Sequence, residues 1–457
     1  MASIGDLGND RTAGARMERA RSDDAVLDAL LQAAFTLHPQ NIELSLGRLE
    51  RLLARLGNPH TKLPPVFHVA GTNGKGSTCA FLRAGLEASG CRVHVYTSPH
   101  LIRFNERIRV AGHVITDEAL AELLREILAR NASQPITFFE LTTALALLAF
   151  SRTPADACII EVGMGGRMDA TNVIADPLVT GIAQLGLDHQ QWLGTSILDI
   201  AREKAGIAKK GVPMVLSRYS RPVTTRIAEV AGVAGAPLRV RGTDWDAAVY
   251  DGAMHFRDGA GRLTLPLPRL AGGHQIDNAG LAIAMLRSQS RLPVTEAALR
   301  ASMGWAEWPA RLQRLEPGPL TRLLPTGSAL WIDGGHNPAA GRAIAESLTA
   351  EMLGGRPLHL VVGMLAPKDA QGFLKAFTGR ADEVQAVPIP GHAHHDPARL
   401  AGDAAACTLK ARTAPGVVAA LQAIAAHADA ARPPFVLITG SLHLAGHALA
   451  LNEQSAG

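Results

Sequence analysis

Aromatic residues and cysteines are scarce in this chain of 457 residues, and each scarcity argues against a class of protein. Aromatic side chains make up 4% of the sequence, which disfavours the stacking platforms that hold single-stranded nucleic acids. The four cysteines lie far apart and form no CxxC pair. A zinc site or a disulfide framework is therefore disfavoured, and the spacing favours reduced thiols in a cytoplasmic protein.

Long apolar runs and blocks of one charge are also missing. No run reaches the roughly 20 apolar residues that span a bilayer, and residues 1–20 lack the apolar centre of a signal peptide. The net charge is only +4, without the lysine and arginine blocks typical of nucleic-acid tails. We therefore expect a cytoplasmic protein that acts on small anionic substrates and binds neither nucleic acid nor a membrane.

What the sequence does contain, from Val66 onward, is an alternation of short β-branched segments with helical ones. Such alternation predicts a parallel sheet with helices on both faces. Residues 236–270 interrupt it with short strand-like pieces and glycine turns, which predict an antiparallel meander. The predicted fold is α/β: a mobile tail (1–22), a P-loop parallel-sheet ATPase domain with a small antiparallel meander (23–308), and a smaller Rossmann-like C-terminal domain (309–457).

The strongest local signal is the segment FHVAGTNGKGST, residues 67–78, in which a strand runs into three glycines and then a helix. Glycines let backbone N–H groups turn toward phosphate oxygens, and the helix N-terminus adds the positive end of its dipole. Lys75 would reach the β- and γ-phosphates of a nucleotide, and Ser77 or Thr78 could approach a magnesium ion. The predicted nucleotide-binding residues of this loop are Gly71, Thr72, Asn73, Gly74, Lys75, Gly76, Ser77 and Thr78.

The loop departs from the common P-loop at two positions. Val69 stands where the pattern GxxxxGK[ST] has its first glycine, and Gly76 separates Lys75 from Ser77. In this form GTNGKGS resembles the nucleotide loop of the Mur ligase superfamily, and the glycine after the lysine resembles its folate branch, the dihydrofolate synthases and folylpolyglutamate synthases. Mur peptidoglycan ligases carry a whole UDP-sugar-binding domain before this loop. Only about 65 residues precede it here, which favours the folate branch.

The resemblance implies an activity and its small-molecule partners. Members of the folate branch use ATP and magnesium to join L-glutamate to dihydropteroate, or to the γ-glutamyl tail of reduced folates, through an acyl phosphate. The segments YTSPHL and TFFE resemble the bifunctional bacterial enzymes, so both activities are expected. Family analogy also implies a monomer.

Three further motifs match the family's metal site. Ser98 in YTSPHL, Glu161 in EVGMGGRMDATNV and His189 in LGLDHQQWLG are expected at strand ends, where ligands of parallel sheets gather. The resemblance implies that Ser98 and Glu161 hold one magnesium ion, and that Glu161 and His189 hold a second. It also implies that Lys204, in AREKAGIAK, is carbamylated and supports a magnesium ion as a carboxylate. The alternative is a surface lysine paired with Glu203 or another acid.

The remaining site residues are also implied by the resemblance. A pterin-binding wall would comprise His38, Thr137, Phe138, Phe139, Glu140, Met168, Asp169 and Ala170. For the two phenylalanines, packing in the core is the alternative. Asn278, Arg311 and Asp333 match nucleotide-contacting positions, and His336 matches a position near the transferred phosphate. The predicted catalytic residues are Lys75, Lys204, Asp333 and His336.

Other interpretations stay open. The chain could have folylpolyglutamate synthase activity alone, or be a P-loop nucleotide switch or kinase without ligation. The second alternative leaves the C-terminal segment DGGHNP unexplained. A non-enzymatic binding protein would not require a glutamate, a histidine and a lysine at separate strand ends. The histidine run GHAHHDP, residues 391–397, suggests a metal site, but a solvent-exposed loop is the favoured interpretation.

Overall fold

The computed structural model describes Ser22, residues 24–38 and residues 45–455. The predicted mobile tail therefore lies almost wholly outside the described residues. The first helix begins where the sequence offers a cap, because the Asp24 carboxylate accepts the Leu27 N–H at 2.7 Å. Among the described residues, no helix is both long and apolar enough to cross a membrane.

An eight-stranded sheet forms the centre of the N-terminal part of the molecule. Its strands are β1 (Val66–Ala70), β2 (Val93–Tyr96), β3 (Ile108–Val110), β4 (His113–Val114), β5 (Ala157–Glu161), β6 (Val179–Ile182), β7 (Met214–Leu216) and β8 (Leu238–Val240). Their order is β4-β3-β2-β5-β1-β6-β7-β8, and all pairs are parallel except those of β3 and β4 at one edge. β1 and β5 are buried along their whole length, as central strands covered on both faces must be.

Helices cover both faces of this sheet. They are α1 (Ala25–Thr36), α2 (Gly47–Arg55), α3 (Lys75–Ala88), α4 (Asp117–Asn131), α5 (Phe138–Arg152), α6 (Gln190–Leu193), α7 (Ile197–Ala205), α8 (Arg221–Ala234), α9 (His274–Arg287) and α10 (Glu296–Trp305). α3 packs against α9 and α10 on one face, while α1, α2, α4 and α5 form a separate hydrophobic core on the other.

The predicted meander is present but shorter than expected. It consists of β9 (Trp245–Tyr250), β10 (Ala253–Asp258) and β11 (Gly261–Leu265), paired antiparallel in the order β11-β10-β9. The predicted meander, residues 236–270, includes the segment LRVRG at 238–242, and for this segment the prediction is wrong. Its strand β8 extends the large sheet, because a helical crossover, α8, returns it parallel to β7.

A second, six-stranded sheet forms the C-terminal part. Its strands are β12 (Gln313–Arg314), β13 (Ala329–Ile332), β14 (Leu358–Val362), β15 (Glu383–Ala386), β16 (Ala411–Thr413) and β17 (Phe435–Thr439), in the order β12-β13-β17-β14-β15-β16. Its helices are α11 (Pro338–Ser347), α12 (Ala350–Leu353), α13 (Ala370–Leu374), α14 (Pro397–Ala406), α15 (Val417–His427) and α16 (Leu442–Leu451). Apart from the short antiparallel edge strand β12, the sheet is parallel with a core on each face. The predicted fold class is confirmed.

Candidate active site

A cavity of about 590 Å³ lies between the N-terminal and C-terminal parts. The loop between β1 and α3 lines one side, and the segment after β13 lines the other. The structure brings together at this cavity most of the predicted metal, nucleotide and catalytic residues: Gly71, Thr72, Asn73, Gly74, Lys75, Gly76, Ser77, Ser98, Glu161, His189, Lys204, Asn278, Arg311, Asp333 and His336. Of the predicted loop, only Thr78 stays behind the lining, with its hydroxyl donating to the Gly74 carbonyl oxygen at 2.8 Å.

The phosphate loop needs glycine for backbone geometry and for space. Gly74 is the N-cap of α3 and has φ 81°, a left-handed conformation that a side chain rarely adopts. A Cβ there would lie 2.2 Å from the Asn278 Oδ1 atom. Both the Thr72 and the Asn73 N–H groups donate to the Gln184 carbonyl oxygen, which ties the loop to the end of β6. The loop therefore presents the N-terminus of a 14-residue helix to the cavity.

Gly76, the residue that separates Lys75 from Ser77, has a packing reason. A Cβ at this position would lie 2.5 Å from the indole ring of Trp308. Trp308 belongs to the connection between α10 and β12, which joins the two parts of the molecule. The departure from the common P-loop thus matches a close contact between the nucleotide loop and the interdomain connection.

Glu161, Lys75 and Ser98 form the centre of the predicted metal site. Glu161 ends β5 and is 4% exposed, and its carboxylate lies 3.8 Å from the Lys75 ammonium and accepts the Ser98 N–H at 3.2 Å. Burial raises the pKa of Glu161, and the Lys75 ammonium and the Ser98 N–H offset this only in part. A cation at this carboxylate would favour the ionised form.

Ser77, at the start of α3, also fits a hard cation. The Ser77 hydroxyl is buried and has no hydrogen-bond partner among the described residues, although it belongs to a residue of the cavity lining. A buried unsatisfied hydroxyl is costly unless a ligand completes it. The described chain holds no cluster of three or more histidine, cysteine, aspartate or glutamate side chains suited to a metal ion. A divalent ion here would therefore depend on serine oxygens, Glu161, His189 and ligand oxygens.

His189 does not lie at a strand end as expected. It lies seven residues after β6, as the N-cap of α6 with φ 51°. The Asp188 carboxylate accepts the backbone N–H of His189 at 2.9 Å, which holds this left-handed turn. Desolvation in the cleft, and then the Lys368 ammonium, lower the pKa of His189 to about 4, against the opposing effect of Asp188. A neutral imidazole can act as a metal ligand.

Asp188 is the polar centre of the cleft, and sequence reasoning missed it. Its carboxylate lies 2.6 Å from the Lys368 ammonium and 3.5 Å from His336 Nε2. Burial raises the pKa of Asp188, but His336, His189 and Lys368 together outweigh that effect and lower it overall. The available signals were the position of Asp188 beside His189, and that of Lys368 in the loop after β14.

The interpretation of Lys204 as a surface lysine paired with Glu203 is wrong. Lys204 is 4% exposed on α7, and its ammonium donates to the Gly71 carbonyl oxygen at 2.9 Å. Glu203 pairs with Arg167 at 3.2 Å instead. Burial, and then the positive charge of Lys75, lower the pKa of Lys204 from 10.5 to about 7. Much of this lysine is therefore an uncharged amine at neutral pH.

The C-terminal lining is held by backbone contacts. Asp333 follows β13, and its two carboxylate oxygens accept the Leu312 N–H at 2.8 Å and the Gly335 N–H at 2.7 Å. His336 Nδ1 donates to the Gly334 carbonyl oxygen at 2.9 Å, so Nε2 is the nitrogen that faces Asp188. Sequence reasoning also missed Asn337, which exchanges two amide hydrogen bonds with Asn73 of the phosphate loop, at 2.9 and 3.2 Å.

The residues predicted for a pterin-binding wall do not line the cavity. Phe138 is buried and stacks on Phe35 with ring centroids 4.0 Å apart, which matches the alternative of core packing. Phe139 lies closer, because its ring contacts Gly163, a residue of the cavity lining. Asp169 is buried and accepts backbone N–H groups from Met164 and Thr171, while its neighbours Met168 and Ala170 are half-buried and buried.

Glu140, also assigned to this wall, is fully engaged by protein groups. Its carboxylate forms a two-point ion pair with Arg48, at 3.0 and 2.9 Å, and accepts the Thr137 N–H at 2.8 Å. Thr137 in turn caps α5 by accepting the Glu140 N–H. His38 lies nearby with both ring nitrogens unpaired within the described part of the chain, and burial lowers its pKa.

Comparison with known proteins places the chain in a family. A family model described as the Mur ligase glutamate ligase domain matches residues 321–442. The dihydrofolate synthase/folylpolyglutamate synthase of Escherichia coli is 37% identical over 414 residues, which cover 90% of this chain and 92% of that one.

Solved structures of similar proteins indicate the same family. That of E. coli FolC in complex with DHPP and ADP has a TM-score of 0.83 and 34% identity, and the match covers 93% of this chain and 97% of that one. A bifunctional folylpolyglutamate synthase/dihydrofolate synthase with Mn, AMPPNP and L-glutamate bound has a TM-score of 0.81 at 34% identity, covering 95% of this chain and 99% of that one. The chain therefore belongs to the dihydrofolate synthase/folylpolyglutamate synthase family of the Mur ligases.

Proposed function

We propose that this protein joins L-glutamate to dihydropteroate and to the γ-glutamyl tail of reduced folates, with cleavage of ATP to ADP and phosphate. The observation that carries the proposal is that the phosphate loop, Glu161, Lys204 and the Asp333–His336 segment line one cavity. The acceptor carboxylate would attack the γ-phosphorus and release ADP, which gives an acyl phosphate. The glutamate amine would then attack the acyl carbon, lose a proton and expel phosphate.

The proposed roles of the residues combine their positions in the cavity with what the family resemblance implies. Lys75 and the N–H groups of the loop would hold the β- and γ-phosphates at the N-terminus of α3. Asn278 and Arg311 line the same cavity and would contact the nucleotide, with Asp333 near the ribose. His336 would lie near the transferred phosphate. Because these groups come from both parts of the molecule, closure of the cleft would assemble the site and exclude water from the acyl phosphate.

Divalent metal ions, magnesium in the proposed reaction, fit the oxygen-rich side of the cavity. Ser98 and Glu161 would hold one ion, and Glu161 and His189 a second, with the unpaired Ser77 hydroxyl available near the phosphates. Bound there, the ions would neutralise the repulsion between an anionic carboxylate and a polyphosphate.

Lys204 is proposed to carry a carbamate. An uncharged amine attacks carbon dioxide and releases one proton, and the pKa of about 7 makes that form available at neutral pH. The resulting carboxylate would lie near the Lys75 ammonium, the positive charge that lowers this pKa, with Asp188 and Asp169 exerting the opposite effect. Opposite charges within the cavity would stabilise the adduct.

The proposed boundaries are residues 23–308 for the ATP-binding domain and 309–457 for the C-terminal ligase domain, and we propose a monomer.

The pterin would bind on the side of the cavity formed by Gly163 and Met164. Phe139 lies against Gly163, and Asp169 accepts the Met164 N–H. His38, Thr137, Phe138, Glu140, Met168 and Ala170 would contribute to the pterin site from behind this surface.

The proposal is tested by phosphate release with magnesium-ATP in four mixtures: dihydropteroate plus glutamate, tetrahydrofolate plus glutamate, and each acceptor without glutamate. We expect sustained turnover with both acceptors, only when glutamate is present. Turnover with tetrahydrofolate plus glutamate, but not with dihydropteroate plus glutamate, would reduce the function to folylpolyglutamate synthase. Phosphate release at the same rate with or without an acceptor and glutamate would contradict ligation and favour a nucleotide switch or kinase.

A further inference from the structure

The histidine run identified in the sequence has a place in the fold. The histidine loop, defined as residues 391–396, follows β15 and pairs with the lysine turn, defined as residues 364–368, which follows β14. Backbone hydrogen bonds join them: the Ala366 N–H donates to Ala393 at 3.2 Å, and the His395 N–H donates to Met364 at 2.9 Å. The histidine loop therefore packs against the segment that carries Lys368.

His395 differs from its neighbours in this loop. It is buried, at 8% exposed, and its Nε2 donates to the Lys368 carbonyl oxygen at 2.8 Å. The acceptor is a carbonyl, so the ring must carry its proton on Nε2. His394, in contrast, bonds through Nδ1 to the His392 carbonyl oxygen of its own loop, at 2.7 Å. The His395 side chain therefore holds the backbone of Lys368, whereas the His394 side chain bonds within its own loop.

From Lys368 the contacts cross the cleft. Its ammonium lies 2.6 Å from Asp188 in the N-terminal part, and the two side chains are only 11% and 10% exposed. Asp188 in turn accepts the backbone N–H of His189 at 2.9 Å. A nearly buried ion pair stabilises only when its geometry is good, because both charges lose water. The position of the Lys368 backbone therefore contributes to whether this pair is favourable.

We propose that His395 is a positioning residue: it fixes the Lys368 backbone so that the Lys368 ammonium reaches Asp188 and holds the cleft closed around the phosphate loop and His189. The effect on turnover rests on the proposed function, whereas the effect on closure does not.

The first test compares three variants. His395→Phe keeps a ring but removes the donor, His395→Gln keeps an N–H donor of similar reach, and His394→Gln is the matched control in the same loop. We expect His395→Phe to weaken binding of magnesium-AMPPNP about tenfold and to enlarge the radius of gyration measured by X-ray scattering, because both sides of the cleft contact the nucleotide. His395→Gln should recover most of the affinity, and His394→Gln should match the wild type.

The second test is a double-mutant cycle with Lys368→Met, read as affinity for magnesium-AMPPNP. If His395 acts through Lys368, His395→Phe should have little further effect once the ammonium is gone. Full additivity of the two substitutions would overturn the proposal, as would a His395→Phe variant with wild-type affinity and compactness. If His395→Phe does not fold, the cycle is run with His395→Gln and His395→Asn, of which only the longer amide should retain wild-type closure.

These readouts separate the two proposals. A wild-type protein without glutamate-dependent turnover would contradict the proposed function, while closure and its dependence on His395 remain measurable by scattering and nucleotide affinity. Suppose instead that the wild-type enzyme ligates glutamate, but His395→Phe changes neither the affinity for magnesium-AMPPNP nor the radius of gyration. That result would contradict only the positioning role.

Discussion

At the scale of single residues, Lys204 shows how burial turns a common side chain into a reactive one. Its ammonium is buried next to Gly71, and desolvation lowers its pKa from 10.5 to about 7. Below pH 7 both the folded and the unfolded chain carry the proton, so the full penalty of burying the charge opposes folding. Between pH 7 and 10.5 the unfolded chain binds more protons, so the free energy of unfolding rises with pH.

Lys204→Met should remove that rise. In buffer free of carbon dioxide, we expect the variant to exceed the wild type in unfolding free energy by a few kcal/mol, roughly, at pH 7 and below. The difference should shrink toward pH 10. Urea unfolding of both chains from pH 6 to 10 measures it, with the exposed Lys62→Met as control. A difference that does not change with pH would contradict the lowered pKa.

Bicarbonate provides an independent test of the same residue. A carbamate needs the uncharged amine, so bicarbonate above pH 7 should raise the melting temperature of the wild type and leave Lys204→Met unchanged. An equal shift in both proteins would argue against the modification.

Gly76 is a residue whose identity is explained directly by packing. Gly76→Ala would place a Cβ 2.5 Å from the Trp308 indole, so we expect ATP affinity to fall at least tenfold, roughly, as the loop or Trp308 shifts. Gly232→Ala is the matched control, since Gly232 also lies in a helix but has open space around it. That control should be stabilised by about 0.5–1 kcal/mol. Calorimetric titration with magnesium-AMPPNP reads the affinity, and Trp308→Leu should partly restore it in Gly76→Ala.

At the scale of elements, the two ends of α5 carry comparable two-point ion pairs in different surroundings. Near the N-terminus, Glu140 and Arg48 join α5 to α2 with side chains 7% and 18% exposed. At the C-terminus, Arg152 pairs with Glu126 of α4, and these side chains are 49% and 32% exposed. Solvent screens the second pair much more than the first.

We therefore expect Glu140→Gln to lower the free energy of unfolding by about 2–4 kcal/mol, because the Arg48 guanidinium loses the Glu140 carboxylate in a poorly hydrated place. Glu126→Gln should lower it by less than about 1 kcal/mol. Urea unfolding gives both values. If Glu140 serves only this junction, the KM for dihydropteroate should change little in the folded variant. A large rise in KM without a loss of stability would instead indicate direct contact with the substrate.

At the scale of the whole molecule, the cavity lies between two sheets, each of which has its own hydrophobic core. The proposed metal residues line this cavity rather than a core, so a divalent ion should matter for the reaction and not for folding. We expect EDTA to abolish glutamate-dependent phosphate release but to leave the melting temperature within about 2 °C. Magnesium-AMPPNP should raise the melting temperature by mass action. A large drop with EDTA alone would indicate a structural metal.

The sequence by itself determined the fold class and predicted which residues would line the cavity where local order alone decides it. The strand–glycine–helix order of residues 67–78 predicted the loop between β1 and α3, and the carboxyl end of β5 predicted the place of Glu161 in the cavity, because a parallel sheet collects its ligands at that edge. Only the tertiary structure decided the assignment of β8 to the large sheet, the burial of Lys204 and the pairing of Glu140 with Arg48. It alone decided the contact of Trp308 with Gly76 and the path from His395 to Asp188. These depend on which distant segments share space, and periodicity or spacing along the chain carries no information about that.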